Sequence, residues 1–522
     1  MGLKHVKEDW DLIVVGGGIT GAGILREAAR MRLDVLLVER MDFAWGTSSR
    51  STKLVHGGLR YLKEGHPFLT KTSVEERERM LKEAPGLVEQ IGFLMPVYRG
   101  ASPGKWTLDV GLMLYDLMAH ERQHRFYDAG DFSSLTPYLK RKGLAGGFRF
   151  FDAQVDDARL VLRLINEAVA SGVQALNYTA VREIVRDDEG QVTGVIIEDT
   201  ETLDRKTLSA RAVINATGVW GEELHPSTGR KRHLRPLRGS HLVFPHSIIP
   251  VDEAVTIIHP RDKRPVFAIP WEGAVLVGTT DIDHGEDIRK EPFITEEEIQ
   301  YLLEAIQTFF PSLDVSADNC ISTFAGIRPV LSEDNISPSE ESRDYVVWKE
   351  KGLVTVTGGK LTTFRKMAWD TLKEARSFLP PVRFIGKQEP VFFAVPETIP
   401  EKNLGLSAET WRRLYGRYGK NAAHELVYTA SPDDLVPIPG TLTLWAELPF
   451  TAKHERVRHL SDLLLRRVRI GLLTPMGGKE HIKRVQKLCE SSLSWDKKRW
   501  KQEIKDYLDL WKRCYSIPEQ KK

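Results

Sequence analysis

Asp11-Leu12-Ile13-Val14-Val15-Gly16-Gly17-Gly18-Ile19-Thr20-Gly21 opens the most informative stretch of the chain. The apolar run Asp11–Val15 has the composition of a strand buried on both faces. After the glycines, Ala22 to Arg32 is helical in composition, and Asp34-Val35-Leu36-Leu37-Val38-Glu39 is a second apolar strand that ends on an acid. Strand, glycine turn, helix, strand and acid predict a βαβ unit with GxGxxG spacing at Gly16, Gly18 and Gly21. Each part has a physical task. Gly16 permits the tight turn, Gly18 lets backbone approach a pyrophosphate, and Gly21 lets the helix pack close to the strand. The helix N-terminus presents N–H groups and a partial positive charge to phosphates. Glu39 would accept hydrogen bonds from an adenosine ribose and repel a 2′-phosphate. The pattern predicts a dinucleotide site that excludes NADP.

Two later segments extend the cofactor beyond a nicotinamide dinucleotide. The strand-like Ala212-Val213-Ile214-Asn215 runs into the small-residue turn Ala216-Thr217-Gly218. Leu353-Val354-Thr355-Val356-Thr357 delivers Gly358-Gly359-Lys360-Leu361-Thr362-Thr363 at another helix start. A helix N-terminus aimed at the N1–C2=O edge of a flavin would stabilise the anionic reduced ring by its dipole and donors. Three distant pieces of chain around one extended cofactor predict FAD.

The 522 residues suggest three or four units, at roughly 150 residues per domain. A hydrophobic share of 41% with 28% charged residues excludes disorder for most of the chain. No apolar run is long enough for a membrane-spanning helix. Cys320, Cys489 and Cys514 are too few for a disulfide framework or a cysteine zinc site, and no metal site is expected. The start reaches a strand-like segment by Trp10 without a signal-peptide core, so the expected compartment is the cytoplasm. Helices are predicted over 71–92, 105–120, 158–171 and 295–310 and from about 361, with short strands over 180–185, 192–198, 212–215 and much of 236–281. Prolines between 380 and 400 mark a linker before a helical, basic region from 407.

From Thr47 onward the sequence resembles FAD-dependent glycerol-3-phosphate dehydrogenases of the respiratory, aerobic type. Thr47-Ser48-Ser49-Arg50-Ser51-Thr52-Lys53-Leu54-Val55-His56-Gly57-Gly58-Leu59-Arg60-Tyr61-Leu62 is similar to the family's segment after the second strand. Val155 to Leu160, Asn215 to Gly218, Arg238-Gly239-Ser240-His241, Ile269-Pro270-Trp271, Gly278-Thr279-Thr280-Asp281, Gly326-Ile327-Arg328-Pro329 and Gly358 to Arg365 follow in the family's order. The resemblance covers residues 8–375 and is weaker beyond, where Ala446-Glu447-Leu448 precedes a basic helix. It implies a mixed α/β (α+β) fold. A Rossmann-like FAD-binding domain (8–80, 150–236 and 345–380) interleaves with an antiparallel-sheet substrate domain (81–149 and 237–344), and a helical C-terminal cap spans 400–522. It further implies oxidation of sn-glycerol 3-phosphate to dihydroxyacetone phosphate, with hydride transfer to flavin N5 and electrons passed to a membrane quinone.

The chemistry suits the residues. A phosphate monoester calls for arginine, whose planar fork holds phosphate oxygens in pairs. Arg60, Arg328 and Arg343 fall in matching segments, and Tyr61 could position substrate. His241 matches an active-site position, and an imidazole titrating near about pH 6.5 suits a general base. Lys360 is the alternative base, or a stabiliser of negative charge near the flavin. The choice between His241, Lys360 and solvent stays open. On the cofactor side the expected contacts are Ser48, Thr52, Lys53, Leu54, His56, Gly57, Gly58, Val181, Ala216, Thr217, Gly218, Gly359, Lys360, Leu361 and Thr362. Thr52 to Leu54 and Gly57-Gly58 are expected to act through backbone groups. His56 could carry a covalent flavin link, but the family resembled generally holds FAD non-covalently.

Charge is distributed unevenly. Residues 451–522 carry nineteen Lys and Arg against nine Asp and Glu, a net +10, which leaves −8 for residues 1–450. A basic end suggests an anionic neighbour: a membrane surface, nucleic acid, or an acidic patch on the same protein. In 105–120, Trp106, Val110, Met113, Leu114, Leu117 and Met118 fall at amphipathic spacing. That helix either lies in a membrane interface or faces the core. Basic residues in 453–469 could add attraction to anionic lipid. The expected location is peripheral, on the cytoplasmic face of the cell membrane, with a homodimer possible. Three alternatives remain: an oxidase of the same fold using O2, an amine or amino-acid oxidase, and a non-catalytic flavoprotein or a binder of nucleic acid. The last lacks aromatics interleaved with its basic residues in a strand-like array, so no nucleic acid is expected.

Overall fold

The computed structural model describes residues 2–58, 67–101, 104–119, 123–224, 234–331, 345–386, 388–398, 400, 402 and 404–518. Two sheets organise them. The first is built on the strand Asp9–Val15, whose Leu12, Ile13 and Val14 are fully buried. It pairs in parallel with Val35–Val38 on one side and Arg205–Asn215 on the other, and Leu353–Gly358 and Gln174–Leu176 extend the parallel set. An antiparallel hairpin, Thr179–Arg186 with Val192–Asp199, joins through Arg205–Asn215, and Tyr345–Glu350 closes the opposite edge. The helices Ile19–Arg30, Asp157–Ala170 and Phe364–Ala375 share one apolar core with this sheet. The strands carrying the glycine turn, the 216–218 turn and the 358–363 turn are therefore neighbours, and all three turns lie at the carboxyl ends of parallel strands.

The second sheet is antiparallel except where Ala254–Ile258 runs parallel to Val88–Tyr98. Its long strands are Val88–Tyr98, Leu144–Val155, Leu234–Pro245 and Ser322–Leu331. Two sequence expectations are corrected here. The helix expected over 71–92 ends at Glu83, where Pro85 and Gly86 (φ 84°) stop it, and Val88–Tyr98 is a strand. Its inner residues are buried on both faces, which erased the alternation that marks a strand. The boundary expected at residue 150 falls inside the strand Leu144–Val155, which lies wholly in the second sheet together with Leu54–Val55.

The C-terminal region is helical, as expected, with Ala408–Tyr418, Lys420–Thr429, Glu447–His454, Ile482–Leu493 and Lys497–Cys514 as its main elements. It is not a detached cap. Leu463, Leu464, Val468 and Trp500 share an apolar core with Phe93, Trp271 and Phe324 of the second sheet. All three cysteines are free, and none of the described helices is long and apolar enough to cross a membrane.

Candidate active site

The glycine turn has the expected shape. Gly16 has φ 113°, and a Cβ there would sit 2.6 Å from the Ala216 carbonyl oxygen. At Gly21 a Cβ would lie 1.8 Å from the Gly16 oxygen, so helix and strand approach as only glycine allows. The helix Ile19–Arg30 begins at Gly18 with no capping side chain of its own and no acid in its first turn. Its first amide, Ile19 N–H, donates to Ser48 Oγ at 2.9 Å. A bare, positively polarised terminus flanked by glycine fits a pyrophosphate. Glu39 accepts from the Gly17 and Met41 amides at 2.6 and 2.8 Å. Burial raises its pKa, and these amide donors oppose the rise. Each carboxylate oxygen keeps a second lone pair for a ribose hydroxyl. Val181 pairs with Ile197 and packs on the cluster containing Val38 and Leu176, beside the end of the strand that leads to Glu39.

The remote turns do meet. The Ala216 amide bonds to the Val15 oxygen at 2.8 Å, Thr357 Oγ1 donates to the Gly218 oxygen at 2.8 Å, and Thr362 Oγ1 to the His56 oxygen at 3.4 Å. Thr217 Oγ1 turns back to Asn215. Gly358 and Gly359 both have positive φ, and the following helix Phe364–Ala375 again starts without a side-chain cap or an acid. Leu361 packs on the core of the first sheet. The residues present fit an extended cofactor with a pyrophosphate at one helix start and a flavin ring near another.

Several expected backbone contacts are already engaged within the protein. Gly57 N–H donates to Tyr115 Oη at 2.9 Å. Lys53 N–H donates to Ser51 Oγ, and its carbonyl accepts from Val155. Leu54 pairs with Gln154 in the second sheet. The Lys53 side chain is fully buried against Asp157. Gly58 takes φ 80° at the end of this segment, and His56 lies just before it, partly buried.

In the second sheet, His241 lies on Leu234–Pro245 between Gly278 and Phe324 of the flanking strands, and is 1% exposed. Its ring stacks on Phe324 at 4.6 Å, Nε2 lies 3.1 Å from Thr52 Oγ1, and Nδ1 has no hydrogen-bond partner among the described residues. Burial, then the charges of Arg328 and Lys53, push its pKa well below 6.5. This corrects the expected titration near 6.5: the imidazole stays neutral at physiological pH. Arg328 donates to Asp281 at 3.0 Å and to Thr279 Oγ1 at 3.1 Å while its side chain stays 22% exposed. Lys360 is partly buried, with Nζ 3.4 Å from Ser73 Oγ. Arg60, Tyr61 and Arg343 lie outside the described residues.

Sequence reasoning missed the buried acids that organise these segments. Asp157 takes the Lys53 ammonium and the Ser51 amide and hydroxyl. Glu298 accepts from Ser240 Oγ, Thr280 Oγ1 and Arg238, so it ties the motif that carries His241 to the Gly278–Asp281 motif. The pairs of small hydroxyl residues in those motifs were the available signal. The basic segment 453–469 is also corrected. Arg466 and Arg467 are buried on Asp42, and Arg469 on Asp156 and Asp157. Of the three anionic neighbours considered, the acidic patch on the same protein is the one these arginines meet, so they are not available to lipid. The helix Lys105–Ala119 forms as expected, with only Leu112, Tyr115 and Asp116 buried. Trp106 is 78% exposed and Leu117 71%, with Val110, Met113 and Leu114 also outward.

Comparison with known proteins agrees with this geometry. The family model "FAD dependent oxidoreductase" matches residues 11–365, and "C-terminal domain of alpha-glycerophosphate oxidase" matches 384–500. The aerobic glycerol-3-phosphate dehydrogenase of Staphylococcus haemolyticus is 35% identical over 486 residues, covering 88% of this chain and 86% of that one. A glycerol-3-phosphate dehydrogenase from Bacillus halodurans, solved with FAD, is 29% identical with a TM-score of 0.75 over 97% of this chain and 96% of that one. The L-alpha-glycerophosphate oxidase of Mycoplasma pneumoniae shares the fold at 19% identity and a TM-score of 0.59, over 75% of this chain and 100% of that one.

Proposed function

This chain belongs to the FAD-dependent glycerol-3-phosphate dehydrogenase family, and on that premise we propose that it oxidises sn-glycerol 3-phosphate to dihydroxyacetone phosphate and passes the electrons to a membrane quinone. FAD, when bound, would supply the acceptor for the hydride that leaves carbon 2. The protein's own task is to orient that carbon and take the hydroxyl proton. His241 is the proton acceptor: a neutral imidazole is always in the accepting form, and the bond to Thr52 fixes its plane. Lys360, at the start of the last cofactor turn, holds negative charge near the ring. Arg328 binds the phosphate together with Arg60 and Arg343, and Tyr61 orients the glycerol. FAD is held non-covalently. The observation that carries this reading is the meeting of His241 with Thr52, which belongs to the cofactor-side segment.

The outward apolar face of Lys105–Ala119 supports peripheral attachment to the cytoplasmic face of the membrane, where a quinone is reached. The oxidase reading is kept because the C-terminal family model and one solved relative carry that name. Anaerobic stopped-flow mixing with glycerol 3-phosphate should bleach the flavin within the turnover time. Subsequent reoxidation should be fast with a soluble quinone and slow with O2. No bleaching would overturn the substrate, and rapid consumption at an oxygen electrode would overturn the acceptor.

A further inference from the structure

We propose that the C-terminal domain completes the active site through Arg469, a positioning residue that holds the Thr52–His241 pair. The inference rests on the catalytic reading above. Arg469 is 1% exposed and sits in left-handed backbone (φ 60°, ψ 3°) at the start of the short helix Ile470–Leu473, an unfavourable place for a residue with a side chain. Its guanidinium is fully engaged. Nε donates to Asp156 at 3.0 Å, Nη1 to the Ser49 and Leu465 carbonyls at 3.2 and 2.8 Å, and Nη2 to Asp157.

Two of those acceptors are shared with Lys53, whose ammonium donates to Asp157 at 2.8 Å and to the Ser49 carbonyl at 2.7 Å. Asp157 also accepts from the Ser51 amide at 2.9 Å and its hydroxyl at 2.7 Å. Residues 49, 51 and 53 are thus pinned to one cluster. Thr52 lies between them and presents Oγ1 to His241 Nε2 at 3.1 Å. A second link runs through rings: the Lys53 ammonium lies 4.8 Å from the Phe324 ring, which stacks on His241. Lysine could supply the charge at 469 but not a planar fork that spans two carboxylates and two carbonyls.

The test uses flavin-bound full-length protein: wild type, Arg469→Lys, Thr52→Val, the double variant, and Arg417→Lys. Arg417 also reaches Asp156 from the C-terminal domain, but its other carboxylate partners are Glu272 and Glu447 rather than the 49–53 segment. Arg469→Lys should slow flavin bleaching by about 10- to 100-fold, because small misplacements cost that much, while KM stays within about twofold. In the Thr52→Val background the same change should add less than about threefold, as expected for residues acting through one contact. Amide exchange at Ser51 and Lys53 should quicken in Arg469→Lys with or without flavin. Arg417→Lys should lower Tm and leave the bleaching rate alone.

A wild-type rate in Arg469→Lys, effects that multiply with Thr52→Val, or equal slowing in Arg417→Lys would each overturn the proposal. If Arg469→Lys gives no folded protein, Ser51→Ala, which cuts the same cluster on its far side, carries the identical comparison with Thr52→Val. Failure of wild type to bleach would sink the catalytic reading instead, and the exchange rates at Ser51 and Lys53 would then decide this inference alone.

Discussion

The arginine-rich segment 456–469 and the apolar helix Lys105–Ala119 are opposites in composition, and each faces the way its composition argues against. Arg466, Arg467 and Arg469 are charged and lie inside, whereas Trp106 and Leu117 are apolar and lie outside. Burying a guanidinium is tolerable only where carboxylates and carbonyls meet its donors. Asp42, Asp156 and Asp157 supply them from more than 300 residues away in sequence. Among the described residues the apolar helix meets no such partner on its outer face. Its inner face carries Tyr115, which donates to Asp152 and accepts from Arg77 and Gly57. Residue type therefore states which partner a side chain requires, and the rest of the chain decides on which side that partner stands.

The contrast can be broken by removing one partner at a time. Asp42→Ala leaves Arg467 buried with no carboxylate partner among the described residues, while Arg466 keeps Asp462, and such a loss costs about 3–5 kcal/mol. Thermal denaturation should show the melting point falling by about 3–5 °C, since 522 residues unfold with an entropy of about 1.1 kcal/mol/K; an unchanged value would mean the pair is not locked. The same carboxylate sets a pH dependence. Burial would raise its pKa, but Arg467 and Arg466 more than offset this and hold it below the usual carboxylate range. A depressed pKa gives stability that is complete above the unfolded value near about 4 and is lost as pH falls through the folded value. Acid unfolding should accordingly begin at higher pH in Asp42→Asn.

Arg328 is the intermediate case, an arginine paired but partly open. Arg328→Ala should raise KM for glycerol 3-phosphate about 10- to 100-fold, the worth of one charged hydrogen bond or so, and steady-state kinetics will read it. On the outward helix, Trp106→Ser with Leu117→Ser should leave Tm within about 0.5 kcal/mol-equivalent of wild type. Co-sedimentation with phospholipid vesicles should drop at least about tenfold, since each buried apolar side chain contributes about 1.5–3 kcal/mol. If sedimentation is unchanged and a concentration-dependent dimer is lost instead, the face belongs to a second copy. The smallest effect expected is that of salt. Raising ionic strength about tenfold should barely weaken vesicle binding, because apolar contacts are not screened. Strong release by salt would restore the basic surface that the sequence suggested.

The parts of the site legible in sequence are those encoded locally. The strand–turn–helix at 11–30 declares itself because a glycine requirement and a change of period fall within twenty residues. Gly218 and Gly358-Gly359 were readable for the same reason, as strand ends with small residues. The strand Val88–Tyr98 was hidden because both its faces are covered, and the boundary at 150 because one strand spans it. The depressed pKa of His241 could not be read, since it arises first from burial and then from the charges of Arg328 and Lys53, which the fold brings from either side in sequence. Asp157 stood inside a quoted motif, Val155 to Leu160, yet its role needed Arg469, 312 positions later.

That last distance bears on how the polypeptide is made. The Asp42–Arg467 contact joins residues 425 positions apart, and the central strand Asp9–Val15 waits for Arg205–Asn215 and then for Leu353–Gly358 to be sheltered on its far side. Until residues 466–469 leave the ribosome, Asp42 lacks its two arginines and the Lys53–Asp157 pair lacks Arg469, so the acidic cradle cannot close without penalty. The βαβ unit is thus synthesised well before the residues that secure it, and its final closure depends on contacts formed more than 300 positions downstream.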